Sequence, residues 1–306
     1  MSSRSPLLKY GLCWAMTLVS AFSLAVRAAV MEVSYRGPES AHDPRYEYNL
    51  AILRLALDNT RDEYGDYRLH AEPPMNTARS IQALRKNAAP NLILELSYED
   101  RHAQSELDYV PFPVDLGVVG YRICFVAPKT LARGPMPTTL SDLRKLTIGQ
   151  GIGWADSAIL RHNGFNVIES GQYENLFRMV SANRFDLFCR GINEIFPEYA
   201  AHHDLPGLKM DQQILLYYPL PRFFFLHRDN QRLKARVMTG LQRGYASGQL
   251  QALWQHAYLE GVKAANAANR QLFILDNPVI STLHVPWQAY QFDVQHLRFA
   301  PVPPAP

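Results

Sequence analysis

The feature that most constrains the fold is an alternation of strand-like and helix-like segments that occurs twice along the chain. In the first hundred residues, apolar or alternating segments at 32–36, 67–71 and 92–96 are separated by segments with apolar residues at helical spacing. The pattern restarts near residue 141 and continues to about residue 203. Because strand–helix–strand alternation is typical of parallel sheets covered by helices, the sequence predicts an α/β protein with two such units.

Two long extended runs connect the units. The run at 116–127 leads out of the first unit, and the run at 214–226, interrupted by Pro219 and Pro221, leads back. One helix is predicted after the return, over 230–258. We therefore predict two lobes with a hinge that the chain crosses twice. The predicted segments are a leader at 1–28, lobe 1 at 29–124 and 226–290, lobe 2 at 125–225, and a Pro-rich tail at 291–306.

The segment 147–156 predicts a strand that turns sharply into a helix, with Gly149, Gly151 and Gly153 in the turn. Glycine permits a close approach of backbone or ligand, and free N–H groups at a helix start attract an anion. Two interpretations stay open, a ligand-binding turn and a tight turn without a ligand. A dinucleotide site is excluded because Trp154 occupies a position at which the G-x-G-x-x-G pattern requires a small residue.

Residues 1–28 have the organisation of a secretory signal peptide. Arg4 and Lys9 precede an apolar run at 10–26, and Val26 and Ala28 place a branched and a small side chain at the two positions that a signal peptidase reads. We predict cleavage after Ala28 and a periplasmic location. The alternative, an uncleaved membrane anchor, is disfavoured because the apolar run is short for a span and a cleavage site follows it directly.

Charge and cysteine content exclude several classes of protein. Loss of Arg4, Lys9 and Arg27 with the leader lowers the number of basic residues from 31 to 28, equal to the 28 acidic residues. A chain without net charge or a basic run does not predict nucleic-acid binding. Cys124 and Cys189 lie in apolar runs, and the favoured interpretation is two buried thiols, with a single disulfide as the alternative.

Two arginines are candidates to bind a carboxylate, because ligands of open α/β sheets lie beyond the carboxyl ends of strands. Arg101 follows the predicted strand 92–96, and Arg190 ends the predicted strand 185–190. A guanidinium can hold a carboxylate through two hydrogen bonds. The alternatives are a surface position for Arg101 beside Glu99, and an internal ion pair between Arg190 and Glu194.

The remaining candidates come from the turn and from the first lobe. Trp154 offers an apolar wall, with packing between helices as the alternative. Asp156 suits the first turn of a helix, where a negative charge is stabilised by the helix dipole. The full set of candidate ligand-binding residues is Tyr35, Arg79, Arg101, Gly151, Gly153, Trp154, Asp156, Arg190 and Glu194. No catalytic motif, metal site or cofactor site is predicted.

Several motifs carry a resemblance to a known family. They are Ser-Asp-Leu at 141–143, Leu-Thr-Ile-Gly-Gln-Gly at 146–151, Tyr-Glu-Asn-Leu-Phe at 173–177, Arg-Gly-Ile-Asn-Glu at 190–194 and Tyr-Pro-x-Pro-x-Phe-Phe-Phe at 218–225. The chain from about 32 to 290 resembles bacterial extracellular solute-binding proteins of family 3, the amino-acid type. The resemblance implies the two-lobe periplasmic-binding-protein fold of type II.

The resemblance also implies a function. Such a protein closes on a small polar solute, an amino acid or a related small anion, for uptake through an inner-membrane ABC permease or for sensing through a sensor domain. It works as a monomer without a cofactor. The sequence departs from the family where Glu194 replaces the usual Asp that binds the ligand ammonium. A second hypothesis is therefore a dehydratase-like enzyme on the same fold, acting on a small carboxylate with Glu194 as its acid or base.

Overall fold

The computed structural model describes residues 30–40, 43 and 45–300. The predicted leader at 1–28 and the end of the predicted tail, 301–306, lie outside the described residues. Among the helices of the described ranges, each is too short or too polar to cross a membrane.

The first sheet contains the three predicted strands of the first unit. In the order in which they pair, its strands are Tyr67–Glu72 (β2), Met31–Arg36 (β1), Ile93–Ser97 (β3), Arg222–His227 (β11) and Leu107–Tyr109 (β4). The strands β1, β2 and β3 pair in parallel as predicted, and β11 and β4 add antiparallel pairs. Antiparallel β11 is the strand with which the chain returns to this sheet.

The second sheet is built around the glycine-rich strand. Its main path is Gln271–Ile274 (β12), Ile214–Tyr217 (β10), Tyr121–Val126 (β5), Leu187–Gly191 (β8), Thr147–Gly151 (β6) and Asn166–Ser170 (β7), with Lys209–Met210 (β9) beside β5. A small antiparallel pair, Phe292–Asp293 (β13) and Arg298–Phe299 (β14), follows near the C-terminus.

The helices pack on the faces of these sheets. Their bounds are Tyr46–Asp58 (α1), Arg61–Tyr64 (α2), Thr77–Arg85 (α3), Asp100–Ala103 (α4), Pro128–Leu131 (α5), Leu140–Leu143 (α6), Ala155–His162 (α7), Tyr173–Ser181 (α8), Ile195–Ala201 (α9), Gln231–Ala246 (α10) and Gln249–Ala264 (α11). Helix α1 buries Tyr48, Ile52, Leu53, Ala56 and Leu57, a spacing that places them on one face. That face packs against α10 and α11.

The extended run at 214–226 divides into β10 and β11 of different sheets. Pro219 and Pro221 lie between the two strands. Proline has no N–H to donate to a strand ladder, so the run cannot continue as one paired strand. The chain thus passes between the sheets at 110–120 and again at 218–221. After α11 it passes back once more, because β12 pairs in parallel with β10.

The structure differs from the sequence predictions at three places. The predicted lobe boundary at 124 falls inside β5, which pairs along its length with strands of the second sheet. Residues 271–274, predicted with lobe 1, form a strand of the second sheet, so the chain crosses between the lobes more often than the predicted two times. The single helix predicted over 230–258 is two helices, because Gly248 has φ +80° and ends the helical path between them.

Cys124 and Cys189 form a disulfide, so the favoured interpretation of two free buried thiols is wrong. The two residues are paired neighbours on the antiparallel strands β5 and β8. The sequence could not decide between the alternatives, because bridging depends on which residues of two strands lie opposite each other. The disulfide lies within the buried apolar core of the second lobe.

Candidate functional site

A small cavity lies between the two lobes, where strand ends from both sheets meet. Its volume is about 60 Å³. The carboxyl ends of β1, β3 and β8 and the turn after β6 reach it, as expected for open α/β sheets. Its charged lining residues are Arg36, Arg45, Glu95, Glu99, Arg122, Asp156, Arg190, Glu194 and Arg222. We call this space the charged cavity.

Glu194 lies at the centre of the charges. Its carboxylate is 3.0 Å from Arg190, 3.3 Å from Arg122 and 3.5 Å from Arg222, and it accepts a hydrogen bond from the backbone N–H of Gly191 at 3.1 Å. Burial alone would raise the pKa of Glu194, but the three positive charges outweigh it and lower the pKa to about 2. The carboxylate is therefore ionised at neutral pH and joins cations from both lobes.

Arg190 has a second, closer carboxylate partner. Its Nε lies 2.8 Å from Glu198 Oε2, and its Nη2 lies 2.8 Å from Glu198 Oε1. Tyr173 donates a hydrogen bond to the same carboxylate at 2.9 Å. The guanidinium also lies over the ring of Trp154, 4.5 Å from its centroid. Arg190 is thus held in place by the second lobe on one side and lines the charged cavity on the other.

Asp156 is held at the wall of the cavity by two side chains. The hydroxyl of Tyr218 donates to its carboxylate at 2.6 Å, and Arg122 lies 2.8 Å from the same oxygen. Asp156 is also in the first turn of α7, as predicted. Arg122 therefore links Asp156 with Glu194 from inside the second sheet.

The first lobe contributes Glu95 of β3 and Arg222 of β11. Arg222 Nε lies 2.8 Å from Glu95 Oε1, although without hydrogen-bond geometry, and Asn49 donates to the other Glu95 oxygen. Burial raises the pKa of Glu95, and Arg222 opposes this shift. The buried Nε of Arg222 and that of Arg122 make no hydrogen bond within the described part of the chain. The cavity wall thus includes a guanidinium group from each lobe, Arg122 from the second and Arg222 from the first.

The lobes touch each other around the cavity. The guanidinium of Arg45, in the first lobe, lies 3.7 Å from the ring centroid of Tyr173 in the second. Near the opposite edge, Asn76 donates to the carbonyl of Gly171 at 3.1 Å. Gly153 has φ +84°, and a Cβ there would lie 3.0 Å from the backbone nitrogen of Ala78. These contacts describe a closed cleft, with glycine required where the turn meets α3.

No protein-family model matches the chain, and no curated protein matches it by sequence. Solved structures do match. An ancestral arginine-binding protein bound to arginine has a TM-score of 0.56 at 11% identity, over 76% of this chain and 99% of that one. A histidine kinase sensor domain with similarity to periplasmic binding proteins has 0.54 at 15%, over 76% and 96%. A periplasmic binding protein of Salmonella typhimurium with high arginine specificity has 0.54 at 12%, over 75% and 99%.

The chain has the two-lobe periplasmic-binding-protein fold of type II. This confirms the predicted fold and the resemblance to periplasmic amino-acid-binding proteins at the level of architecture. At identities of 11% to 15% the similarity shows the fold alone. The ligand has to be argued from the chemistry of the site.

Five of the nine predicted site residues belong to the closed cleft of this type II fold. Gly153, Trp154, Asp156, Arg190 and Glu194 line the charged cavity. A sixth, Gly151, lies under the Trp154 indole, since a Cβ at this glycine would be 2.3 Å from the ring. The glycine-rich turn thus shapes the cavity wall by letting Trp154 pack closely.

The structure places the other three away from the charged cavity. Tyr35 lines a separate small void beneath α1. Arg79 is exposed beside an outer cavity of about 340 Å³ between Asn76 and Gly171. The side chain of Arg101 is 60% exposed and pairs with Glu99 at 2.9 Å. Arg101 therefore has the surface position beside Glu99 that was given as the alternative to carboxylate binding.

Sequence reasoning missed several charged residues of the cleft, among them Arg36, Glu95, Arg122 and Arg222. A signal was present, because Glu95, Arg122 and Arg222 each interrupt or border an apolar strand-like run. This is the pattern that selected Arg190. Applied to every strand, it would have found them.

Proposed function

We propose that this chain is a periplasmic solute-binding protein that closes its two lobes on a small polar solute, an amino acid or a related small anion. The observation that carries the proposal is the charged cavity, which has side chains of both signs at the strand ends of both lobes. Lobe closure around a ligand buried at the interface is the expected movement of such a fold.

The chemistry of the cavity suits a zwitterion. Arg122 and Arg222 line the cavity from opposite lobes, and a ligand carboxylate supplies acceptor oxygens for a guanidinium group. Glu95 lies in the first lobe opposite Glu194 in the second, and carboxylates of this kind attract an ammonium group. A zwitterionic solute has no net charge, so its binding does not change the net charge within the cavity.

We further propose that residues 1–28 export the chain to the periplasm, where it acts as a monomer. Its partner there would be an inner-membrane ABC permease or a sensor domain. Two structural neighbours support these alternatives: one is an amino acid ABC transporter substrate-binding protein, and the other is a histidine kinase sensor domain.

The properties of Glu194 argue against the dehydratase-like alternative. An acid or base that works near neutral pH needs a pKa near neutrality. The arginines around Glu194 instead lower its pKa to about 2. We therefore propose binding without chemistry, and a Glu194→Gln variant would be expected to show no turnover difference from the parent protein.

A thermal-shift screen of the twenty amino acids and a set of small dicarboxylates tests the proposal. We expect at least one compound to raise the melting temperature, because a ligand that binds only the folded state stabilises it. Arg222→Gln should raise the dissociation constant by about tenfold or more, whereas Arg243→Gln, a change in an exposed arginine paired with Asp62 and Glu63, should leave it unchanged. If no compound in the screen stabilises the protein, the proposed solute class is wrong.

A further inference from the structure

Within the described residues, the chain passes between the lobes four times. The first two passages, at 110–120 and 218–221, correspond to the predicted hinge. The third leads from α11, which packs on the first lobe, to β12 of the second sheet. The fourth leads from the end of β12 back to α4 of the first lobe. Residues 276–299, which contain this last passage, are called the C-terminal strap.

The strap is bonded to both lobes within a very short length of chain. At Asp276, the side chain of Asn163 in the second lobe donates to the backbone carbonyl at 2.8 Å and accepts from the backbone N–H at 3.1 Å. At Val279, the carbonyl accepts a hydrogen bond from the N–H of Asp100 in the first lobe at 2.7 Å. Three residue steps span at most about 11 Å, and Pro278 among them has a fixed φ. The two bonded points therefore cannot move far apart.

The same short link is bonded to the second hinge passage. The side chain of Asn277 donates to the carbonyl of Pro219 at 2.7 Å and accepts from the N–H of Val279 at 2.9 Å. Pro219 lies within the passage 218–221. A change of backbone dihedral angles in this passage must therefore either break the bond to Asn277 or move the strap as well.

The other end of the strap covers the first hinge passage at an unusual point of its backbone. Leu116 and Gly117 are consecutive residues with φ +53° and +77°. A leucine in this region is uncommon and persists only where its surroundings hold it. The N–H of Phe292 donates to the carbonyl of Leu116 at 2.8 Å. The side chain of Gln291 lies directly over Gly117, where an added Cβ would be 2.9 Å from Gln291 Cγ.

Between these two ends, the strap is fixed to the first lobe. Trp287 is buried in an apolar cluster with Leu94 and Phe223 of the first sheet. The carboxylate of Asp100 accepts hydrogen bonds from the backbone at 281 and 282. The strap therefore connects both hinge passages to one face of the first lobe.

We propose that the C-terminal strap is a restraint on the hinge, which limits how far and in which direction the two lobes can open. Hinge movements take place through changes of dihedral angles at a few residues of the passages between lobes. Because the strap is bonded to both passages, the opening of the cleft depends on contacts that lie outside it. The inference concerns the hinge itself and does not depend on the identity of the solute.

Distance measurements between spin labels on the two lobes, without added ligand, test the inference. The labels are attached to Gln82→Cys on α3 of the first lobe and Arg178→Cys on α8 of the second, both exposed positions. We expect one narrow distance distribution in the parent protein. In Asn277→Ala/Gln291→Ala the mean distance should increase by about 5 Å or more, or the width should at least about double, because opening meets less resistance.

A matched control changes the same residue types at exposed positions. Asn269 bonds only to Asn266 through its side chain, and Gln288 lies in the strap away from both passages. Asn269→Ala/Gln288→Ala should leave the distance distribution unchanged. Hydrogen exchange at 115–118 should increase by about tenfold or more in Asn277→Ala/Gln291→Ala and stay constant in the control.

The single variants Asn277→Ala and Gln291→Ala are measured as well, so that the test does not depend on the stability of the double variant. An unchanged distance distribution in all three variants would overturn the inference, and so would an equally broad distribution in the control. Either result leaves the proposed function standing, because no solute takes part in the measurement. Absence of a bound solute, in contrast, bears on the proposed function alone.

Discussion

Two buried carboxylates have pKa values that shift in opposite directions because their neighbours differ. Glu194 is surrounded by three arginines, which lower its pKa to about 2. Asp115 accepts a hydrogen bond from the backbone of Gly117 at 3.3 Å, but its other oxygen is buried without a partner in the described ranges. Burial raises the pKa of Asp115 to about 7, against the attraction of Arg222. The two residues therefore affect folding stability at opposite ends of the pH range.

Replacement of Asp115 with Asn is expected to stabilise the protein above neutral pH. The pKa of Asp115 in the folded state, about 7, is above its ordinary value of 3.8, so its contribution to stability is lost as the pH rises through this interval. Asp115→Asn should raise the free energy of unfolding by roughly 1–3 kcal/mol at pH 8 and have little effect near pH 4. Urea unfolding at the two pH values measures this. An equal effect at both pH values would contradict the assignment.

Replacement of Glu194 with Gln is expected to have the opposite pH dependence. The pKa of Glu194, about 2 in the folded state, is below its ordinary value of 4.5, so its stabilising effect is present above pH 4.5 and lost as the pH falls toward 2. Glu194→Gln should lower the free energy of unfolding by roughly 2–4 kcal/mol at pH 7 and by much less at pH 3. Glu260→Gln, in a side chain that is 87% exposed, is the control and should have almost no effect at either pH.

At the scale of elements, the disulfide and the glycine-rich turn set the shape of the second lobe. The disulfide joins β5, which enters this lobe, to β8, which carries Arg190. Both strands place arginines in the charged cavity. The covalent link therefore holds together two of the strands that position the site.

Loss of the disulfide should destabilise the protein. The link closes a loop with a sequence separation of 65. For a loop of this size the expected contribution is about 2–4 kcal/mol. Urea unfolding of Cys124→Ala/Cys189→Ala should show this loss, and a reducing agent should have the same effect on the parent protein and none on the variant. Unchanged stability in the variant would show that the pair contributes nothing to folding.

The sequence predicted most elements of the fold, and its failures have local physical causes. The apolar pattern of α10 and α11 continues past Gly248, so only the positive φ of that glycine separates them. Arg101 follows β3 as predicted, but α4 begins at once and turns the chain toward the C-terminal segment. There the side chain of Asp100 accepts hydrogen bonds from Ser281 and Thr282. Such long-range contacts leave no periodic signal in the sequence.

At the scale of the whole molecule, residues 276–299 form a C-terminal strap that contacts both lobes. The strap begins at the second lobe, where Asn163 donates to the carbonyl of Asp276 at 2.8 Å. It continues along the first lobe, where Asp100 holds residues 281 and 282 and Trp287 is buried. It ends near the crossing segment, where the backbone N–H of Phe292 donates to Leu116 at 2.8 Å.

Removal of the Asp100 carboxylate is expected to release the C-terminal strap from the first lobe without unfolding the lobes. The Asp100 carboxylate accepts hydrogen bonds from the backbone and hydroxyl groups of both Ser281 and Thr282. Asp100→Ala should increase hydrogen exchange at 279–287 by about tenfold or more, because local opening is controlled by such contacts. Asp66→Ala, in an exposed carboxylate of the first lobe, is the control. Unchanged exchange in Asp100→Ala would mean that apolar packing alone holds the strap.

The central claim is that the closed cleft binds one small solute, and native mass spectrometry tests it most directly. The protein would be purified from a periplasmic extract and also measured after incubation with an equimolar mixture of the twenty amino acids. We expect one adduct, in the mass range of a single amino acid or a similarly small anion, that is lost when the protein is denatured. If both samples show the mass of the polypeptide alone, with no adduct, the account is wrong.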